Sequence, residues 1–169
     1  MSLVIESGSG SATAESYISV ESASAYFTAR GVTTWDALDT GEATAAREQA
    51  LRKATDYIDS HYQWKGCRVY PTVQALDWPR YGVWAKEEYV DDDEIPEPLK
   101  RACAELALKS ASDDLLADQT QGVVKEKVGV IEVEYNPNSP AATRYKSIDA
   151  LLRPYLNSVA GCCVEMVRA

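Results

Sequence analysis

Apolar residues recur at intervals of three and four in two long stretches of the chain, as they do along one face of an α-helix. The first stretch spans residues 42–62 and the second spans roughly residues 97–117. Pro96 and Pro98 precede the second stretch at positions that suit a first helical turn. We therefore predict two long helices with apolar stripes. The stripe residues are Ala43, Ala46, Ala50, Leu51, Ala54, Tyr57, Ile58 and Tyr62 in the first helix, and Leu99, Ala102, Cys103, Leu106, Ala107, Ser110 and Leu115 in the second.

Two shorter helices are predicted from capping residues and breakers. Ser19 suits an N-cap and Gly31 a stop, which gives a helix of about three turns. Residues 141–153 carry a further apolar stripe that ends near Pro154. Both helices would add apolar faces to a core formed by the two long ones.

From Lys125 to Tyr135 the pattern changes to alternation, with Ile131, Val133 and Tyr135 on one face and Glu132 and Glu134 on the other, which indicates a strand or a hairpin arm. A single arm of this kind in an otherwise helical chain leaves its edges unpaired. Such edges favour pairing with another copy of the chain or with another protein.

The fold class that follows is mainly α, a small helical bundle with one β-strand or hairpin arm and extended termini. Residues 1–16 are predicted to form a flexible N-terminal arm, and residues 6–16 have the composition of a linker and are not expected to contribute to the core. Residues 17–157 form the helical domain and residues 158–169 a C-terminal tail. The length of 169 residues does not call for a second domain.

The segment from Trp64 to Trp84 contains three of the four tryptophans and is interrupted by Pro71 and Pro79. Tryptophan is rarely left in water, so the segment is either a folded loop anchored in the core or a surface for a partner. In the first interpretation Trp78 and Pro79 form an apolar plug and an acid pairs with Arg80.

In the second interpretation the aromatic rings stack on the bases of single-stranded nucleic acid. Four basic residues would then meet the phosphates, although the acidic run at residues 87–94 would repel them. The basic residues are Lys65, Arg68, Arg80 and Lys86.

Charge and motif content argue against several classes of function. The chain has 17 basic and 26 acidic residues, a formal net charge of −9, which does not favour general affinity for polyphosphates. The sequence has no nucleotide-binding or hydrolase motif, and the single histidine, His61, fits a helix end. We expect no enzymatic activity, no cofactor and no metal. The acidic run Asp91–Glu94 is interpreted as a solvated loop, with a carboxylate cation site as the alternative.

The four cysteines have no CxxC spacing, and free thiols are expected. The start of the chain has no basic region followed by a long apolar run, so neither a signal peptide nor a membrane span is expected. These features favour a protein made in the cytoplasm.

The order of motifs along residues 17–157 resembles a known family. The most specific element is Gln74-x-Leu76-x-Trp78-Pro79-Arg80. The other matching elements are Tyr17-Ile18-Ser19-Val20, Ala54-Thr55-Asp56-Tyr57-Ile58, Ile95-Pro96, Val128-Gly129 and Leu151-Leu152-x-Pro154-Tyr155-Leu156. The chain resembles the small tailed-bacteriophage proteins labelled DnaT-like single-stranded DNA-binding, which are similar to the head-tail connector (adaptor) proteins of long-tailed phages.

The resemblance implies a structural virion protein. It would form a homo-oligomeric ring of about twelve copies at the portal vertex. The portal protein and a head-closure or tail-completion protein would be its partners, and genomic DNA would pass through the channel without sequence-specific binding. The alternative is a DnaT-like single-stranded DNA-binding replication protein. The predicted protein-interface residues are Trp78, Arg80, Tyr81, Trp84, Val128, Val130, Ile131, Val133, Tyr135, Tyr155 and Leu156.

Overall fold

The computed structural model describes residues 2–38, 44–115, 125–128, 131–134 and 145–157, and of residues 125–128 and 131–134 it describes the backbone. The α-helices in this part of the chain are α1 (Val20–Thr28), α2 (Thr44–His61), α3 (Glu97–Ser110) and α4 (Lys146–Leu152). Short 3-10 helices lie at Asp36–Leu38 and Arg153–Tyr155. The strands are β1 (Cys67–Arg68), β2 (Arg80–Tyr81), β3 (Trp84–Ala85), β4 (Glu88–Tyr89), β5 (Lys125–Val128) and β6 (Ile131–Glu134).

The two long predicted helices are confirmed, and their apolar faces pack on each other to form the core. Ala54 and Ala102 are fully buried, and side chains this small let two helix backbones approach closely. Ala46, which the periodic pattern placed on the stripe of α2, is instead exposed. Further fully buried residues of this interface are Leu51, Ile58, Leu106 and Ala107.

The two shorter helices are also found, the second as α4 over Lys146–Leu152, a shorter range than the predicted residues 141–153. Ser19 is the N-cap of α1, and its hydroxyl accepts a hydrogen bond from the backbone N–H of Ser22 at 3.1 Å. Helix α4 packs on α3 and buries Ile148 and Leu152 completely. The 3-10 helix after α4 brings Tyr155 into the same core.

Helix α3 ends earlier than predicted, at Ser110 instead of residue 117. The Ser110 hydroxyl donates a hydrogen bond to the carbonyl of Ala107 at 2.8 Å and another to the carbonyl of Ala50 on α2 at 3.3 Å. The end of α3 is thereby attached to α2.

The strands form three antiparallel pairs. β1 pairs with β2, β3 pairs with β4 across a two-residue turn, and β5 pairs with β6. The last pair confirms the predicted β arm, with Lys125 opposite Glu134 and Val128 opposite Ile131.

The prediction of a mainly α helical bundle is wrong, because the described chain is a small mixed α/β domain. The segment between α2 and α3 contains two strand pairs that were predicted as loop. Their strands are two residues long, which is too short for an alternating pattern to be recognised. Gly66, just before β1, and Gly82, between β2 and β3, both have a positive φ, which glycine adopts without steric cost.

The N-terminal segment contributes Leu3 and Ala14 to the core, so the prediction that residues 6–16 contain no core residue is wrong for Ala14. The Glu6 carboxylate is buried and accepts hydrogen bonds from the backbone N–H groups of Gly8, Gly10 and Ser11, at 2.8 to 3.0 Å. This segment, although it has the composition of a linker, therefore forms an ordered loop around the carboxylate of Glu6.

The loop around Glu6 packs against the segment between α2 and α3. Gly8 has a φ of 106°, and a Cβ at this position would overlap the carbonyl oxygen of Asp93. The Ser11 carbonyl accepts a hydrogen bond from Ala75 N–H at 2.9 Å. The loop around Glu6 therefore contacts the segment between α2 and α3 at Asp93 and Ala75.

No helix within the described residues is long and apolar enough to cross a membrane.

Candidate functional site

The segment from Trp64 to Tyr89 is fixed to the helical core by its buried tryptophans. Trp78 is fully buried and Trp64 is 4% exposed, and their rings meet edge to face with centroids 5.7 Å apart. Tyr155 contacts the other side of Trp78, with centroids 6.1 Å apart. The interpretation of this segment as a loop anchored in the core is confirmed for these residues. The indole N–H groups of Trp64 and Trp78 have no hydrogen-bond partner within the described chain.

A buried carboxylate attaches the same segment to α2. Asp59 accepts a hydrogen bond from the hydroxyl of Tyr17 at 2.5 Å and one from the backbone N–H of Asp77 at 3.0 Å. The Tyr17 oxygen in turn accepts hydrogen bonds from the N–H groups of Asp77 and Trp78. Burial raises the pKa of Asp59 to about 6, although these two hydrogen bonds favour the ionised form.

Gln74, the first residue of the most specific motif, holds the turn before Trp78 together. Its amide donates hydrogen bonds to the carbonyls of Leu76 at 2.8 Å and Pro79 at 3.2 Å, and its oxygen accepts one from Tyr70 N–H at 2.8 Å. The Trp78–Pro79 peptide bond is cis. The motif is therefore explained by local structure.

Arg80 has a structural role that differs from the predicted pairing with an acid. Its guanidinium donates to the backbone carbonyls of Lys65 at 2.8 Å, Gly66 at 2.8 Å and Asp77 at 3.1 Å. Burial lowers its pKa. The arginine that pairs with a carboxylate is Arg68, whose Nε lies 3.1 Å from an oxygen of Asp77.

Four aromatic side chains of the segment are exposed, and the three that lie on β2, β3 and β4, apart from Tyr70, form what we call the aromatic surface. They are Tyr81 (48% exposed), Trp84 (62%) and Tyr89 (41%). Trp84 and Tyr89 are directly opposite on the β3–β4 pair, and their rings meet edge to face with centroids 5.7 Å apart. The Tyr89 hydroxyl also accepts the N–H of Gly82, next to Tyr81, at 3.2 Å. The three rings are therefore held by one short hairpin and its neighbour strand.

Charges of both signs lie around the aromatic surface. The Lys65 ammonium donates to the carbonyls of Trp84 at 3.2 Å and Pro154 at 2.7 Å, which connects β3 to the end of α4. Lys86 is exposed in the turn of the hairpin. The Tyr89 hydroxyl donates to Asp92 at 2.5 Å, and this hydrogen bond raises the Tyr89 pKa. Further carboxylates, at Glu87, Glu88 and Asp91, are exposed nearby in the chain.

The predicted interface residues lie in different parts of the molecule. Tyr81 and Trp84 are exposed, whereas Trp78 and Tyr155 lie in the core. Leu156 is half-buried and forms a bridge with Trp64. Val128, Ile131 and Val133 lie on the β5–β6 pair, while Val130 and Tyr135 fall outside the described residues.

Sequence analysis missed Tyr89 and Asp59. Tyr89 lies next to the acidic run and was treated as part of a charged loop, although the spacing from Trp84 fits a two-residue hairpin turn. Asp59 lies on α2, and Tyr17 and the backbone of Asp77, both distant from it in the sequence, cover its carboxylate. No signal in the sequence identifies that burial.

Among the described residues, no group of three or more His, Cys, Asp or Glu side chains is arranged to hold a metal ion. The predicted acidic run Asp91–Glu94 is exposed throughout. Cys67 is exposed and Cys103 is buried, both as free thiols. Cys162 and Cys163 lie outside the described residues.

A family model described as "Putative DnaT-like ssDNA binding protein" matches residues 1–169. No curated protein and no solved structure matches the chain.

Proposed function

We propose that this chain, because it belongs to the family of DnaT-like single-stranded DNA-binding proteins, binds single-stranded DNA. The observation that supports a location for the binding is the exposure of Trp84, 62%, beside Tyr89 and Tyr81. The family match reverses the order of the two functions expected from the sequence, since it supports the former alternative better than the connector.

Exposed aromatic rings suit this function because every base has an apolar face that can stack on them. Contacts within the protein hold the ring of Tyr89 and the backbone of Trp84 in place before any ligand arrives. Lys65 is bonded to the carbonyl of Trp84, and Tyr89 is bonded to Asp92 and to the N–H of Gly82. A preformed surface loses less conformational freedom on binding, which favours affinity.

The buried half of the segment supports the exposed half. Trp78 precedes Tyr81 by three residues and is fully buried, so the strand that carries Tyr81 starts from a fixed point. Arg80 then attaches this strand to the carbonyls of Lys65 and Gly66. The proposed function is a binding function, and no catalytic role is proposed.

Titration of a labelled thymidine oligonucleotide of about 20 nucleotides tests the proposal. We expect Trp84→Ala to weaken binding by about 5- to 150-fold, because stacking of one base contributes about 1–3 kcal/mol. The matched control is Val73→Ala, which shortens another exposed apolar side chain (57% exposed) outside the aromatic surface. Equal affinity of the wild type and Trp84→Ala would contradict the proposed location.

A second candidate is the head-tail connector role that the sequence resemblance implied. The observation that favours it is the acidic surrounding of the aromatic surface, with Glu87, Glu88 and Asp91 exposed. An aromatic centre with a polar rim is also typical of protein interfaces. In this role the chain would form a ring between the portal and a head-closure or tail-completion protein in the virion.

Mass measurement of the protein, alone and mixed with a phage portal protein, distinguishes the two candidates. A ring that forms with the portal and is lost in Trp84→Ala would favour the connector. A monomer that ignores the portal and binds the oligonucleotide would favour the DNA-binding function.

A further inference from the structure

A groove of about 700 Å³ lies beside the aromatic surface. Its edge is shared with that surface, because Cys67 lines the groove and is paired with Tyr81 across the β1–β2 ladder. The groove is formed by the residues that follow α2, by the β1–β2 pair and the loop between its strands, and by Asn157, two residues after the last 3-10 helix. Its lining includes Tyr62, Trp64, Cys67, Arg68, Arg80 and Asn157.

Two guanidinium groups belong to this groove. Arg68 and Arg80 are directly opposite each other on β1 and β2. Like charges in this arrangement repel and normally destabilise a strand pair. The carboxylate of Asp77 also lines the groove and lies 3.1 Å from the Nε of Arg68. With two positive charges and one negative charge, the lining has a net charge of +1 in a chain whose formal net charge is −9.

The two arginines are held differently. Arg80 is fixed by three backbone carbonyls, those of Lys65, Gly66 and Asp77. Arg68 is about one-third exposed, and its hydrogen bond to Asp77 uses one of the five N–H groups of a guanidinium. Arg68 can therefore turn its remaining N–H groups towards a ligand in the groove, next to a fixed positive charge.

We infer, on the basis of the proposed function, that this groove binds the phosphate groups of single-stranded DNA, with Arg68 and Arg80 as their ligands. The bases of the same strand stack on the aromatic surface, which begins at Tyr81. Guanidinium groups suit phosphate because their planar N–H groups can bind two of its oxygens at once. A positive groove beside aromatic platforms is the usual arrangement for binding a single strand.

Asp77 has a defined part in this arrangement. Its carboxylate occupies Arg68 in the free protein, and an incoming phosphate competes with it for the same N–H groups. The backbone N–H of Asp77 is bonded to Asp59 and Tyr17, so a change of its side chain leaves that anchor in place. Substitutions of Arg68 and Asp77 should therefore have opposite effects on DNA binding.

The test compares the variants Arg68→Gln and Asp77→Asn in titrations of the thymidine oligonucleotide at several salt concentrations. We expect Arg68→Gln to bind about five- to tenfold more weakly and to lower the slope of log affinity against log salt by about 0.7. We expect Asp77→Asn to bind about threefold more tightly, because it removes the competing carboxylate. The control is Arg101→Gln, which removes a positive charge from α3, outside the groove lining.

Alkylation of Cys67 gives a second measurement that does not depend on affinity. Cys67 is exposed and lines the groove, so bound oligonucleotide should slow its reaction with iodoacetamide, as read by peptide mass spectrometry. Cys103 is the internal reference. It is buried, burial raises its pKa to about 11, and it should stay unmodified with or without DNA.

The outcomes separate this inference from the proposed function. If both variants bind like the wild type and Cys67 is not protected, while Trp84→Ala still loses binding, the groove is not the phosphate site and the DNA-binding function stands. If the wild type binds no oligonucleotide, the proposed function and this inference both fail. Opposite shifts for Arg68→Gln and Asp77→Asn, with Cys67 protected, support the inference.

Discussion

The side chain of Asp59 connects the helical core to the segment that carries the aromatic surface. It lies on α2 and receives hydrogen bonds from Tyr17 and from the backbone of Asp77. Asp77 also faces it with a negative charge and Arg68 with a positive one. Its pKa of about 6, against an ordinary value of 3.8, means that the folded protein holds a proton more tightly than the unfolded chain does.

This raised pKa gives a pH dependence with a definite sign. Between pH 3.8 and about 6 the folded protein binds a proton that the unfolded chain has lost, so the Asp59 contribution to stability falls as the pH rises through this window. A difference of about 2 pKa units corresponds to a loss on the order of 3 kcal/mol, complete above pH 6. Urea unfolding at pH 4, 5, 6 and 7 measures this change in the free energy of unfolding.

The comparison protein for this measurement is Asp59→Asn, which has no charge to bury. The free energy of unfolding of the wild type, minus that of the variant, should fall as the pH rises from 4 to 7. Parallel pH profiles of the two proteins would contradict the role given to Asp59. The subtraction removes the pH dependence that comes from the other carboxylates, which both proteins share.

The roles of single residues could be predicted from the sequence only in part. Ser19 was predicted as a helix cap, because capping depends on neighbours in the chain. Trp78 was predicted as part of an apolar plug in one interpretation and as an interface residue in the other, and the structure places it in the core. The partners of Gln74 and Arg80 could not be predicted, because they are backbone carbonyls brought close by a turn that no local rule specifies.

The hairpin β3–β4 is the element that presents the aromatic surface, and its turn is strained. Lys86 and Glu87 have φ angles of 53° and 67°, in the left-handed region that residues with a Cβ rarely adopt. Two consecutive residues of this kind form the turn that prefers the dipeptide Asn-Gly. The sequence of the turn therefore does not match its conformation.

Replacement of the turn by Asn-Gly, in the double variant Lys86→Asn and Glu87→Gly, should stabilise the hairpin by about 1 kcal/mol. The variant loses one charge of each sign, so the net charge is unchanged. The expected result is an approximately fivefold slower hydrogen exchange of Val90 N–H, which donates to the carbonyl of Val83 across the base of the hairpin.

The matched control for this variant replaces both residues by Gln. It removes the same two charges and keeps the strained conformation. Equal slowing of exchange in the two variants would show that charge, and not backbone strain, limits the stability of the hairpin.

At the scale of elements, the helices were predictable and the short strands were not. A helix such as α2 repeats its apolar spacing over five turns, whereas β1 to β4 have two residues each. The turn Lys86-Glu87 also lacks the Gly or Asn that would have indicated a hairpin. The β5–β6 pair was predicted because residues 131–135 alternate between apolar and acidic side chains.

The net negative charge of the whole molecule should make it bind single-stranded DNA more tightly than duplex DNA. Its formal net charge is −9, and the basic groove side chains are few. Duplex DNA carries about one negative charge per 1.7 Å of its axis, which is more than a single strand carries, and its bases are not free to stack on protein rings. The acidic molecule therefore repels a duplex more strongly than a single strand.

We predict that a duplex of the same length binds at least about tenfold more weakly than the thymidine oligonucleotide at low salt. The ratio should shrink as salt screens the repulsion. Competition titrations at two salt concentrations measure both effects. A duplex that competes as well as the single strand would contradict the prediction.

The overall architecture illustrates what sequence patterns leave open. The helical core was predicted, yet the N-terminal segment was predicted as a free arm because its Gly and Ser content is typical of linkers. Its order depends on Glu6, whose carboxylate organises the glycine-rich loop from within. Amino-acid composition indicates how flexible an isolated segment is, but it does not indicate the tertiary contacts that order the segment in the folded protein.

The distribution of the four tryptophans has a practical consequence. Trp35, Trp64 and Trp78 are at most 4% exposed, and Trp84 is 62% exposed. An aqueous collisional quencher such as iodide therefore reaches the fluorescence of Trp84 and hardly that of the other three. The unmodified protein carries its own optical reporter at the centre of the aromatic surface, and occupation of that surface can be followed as protection of this emission.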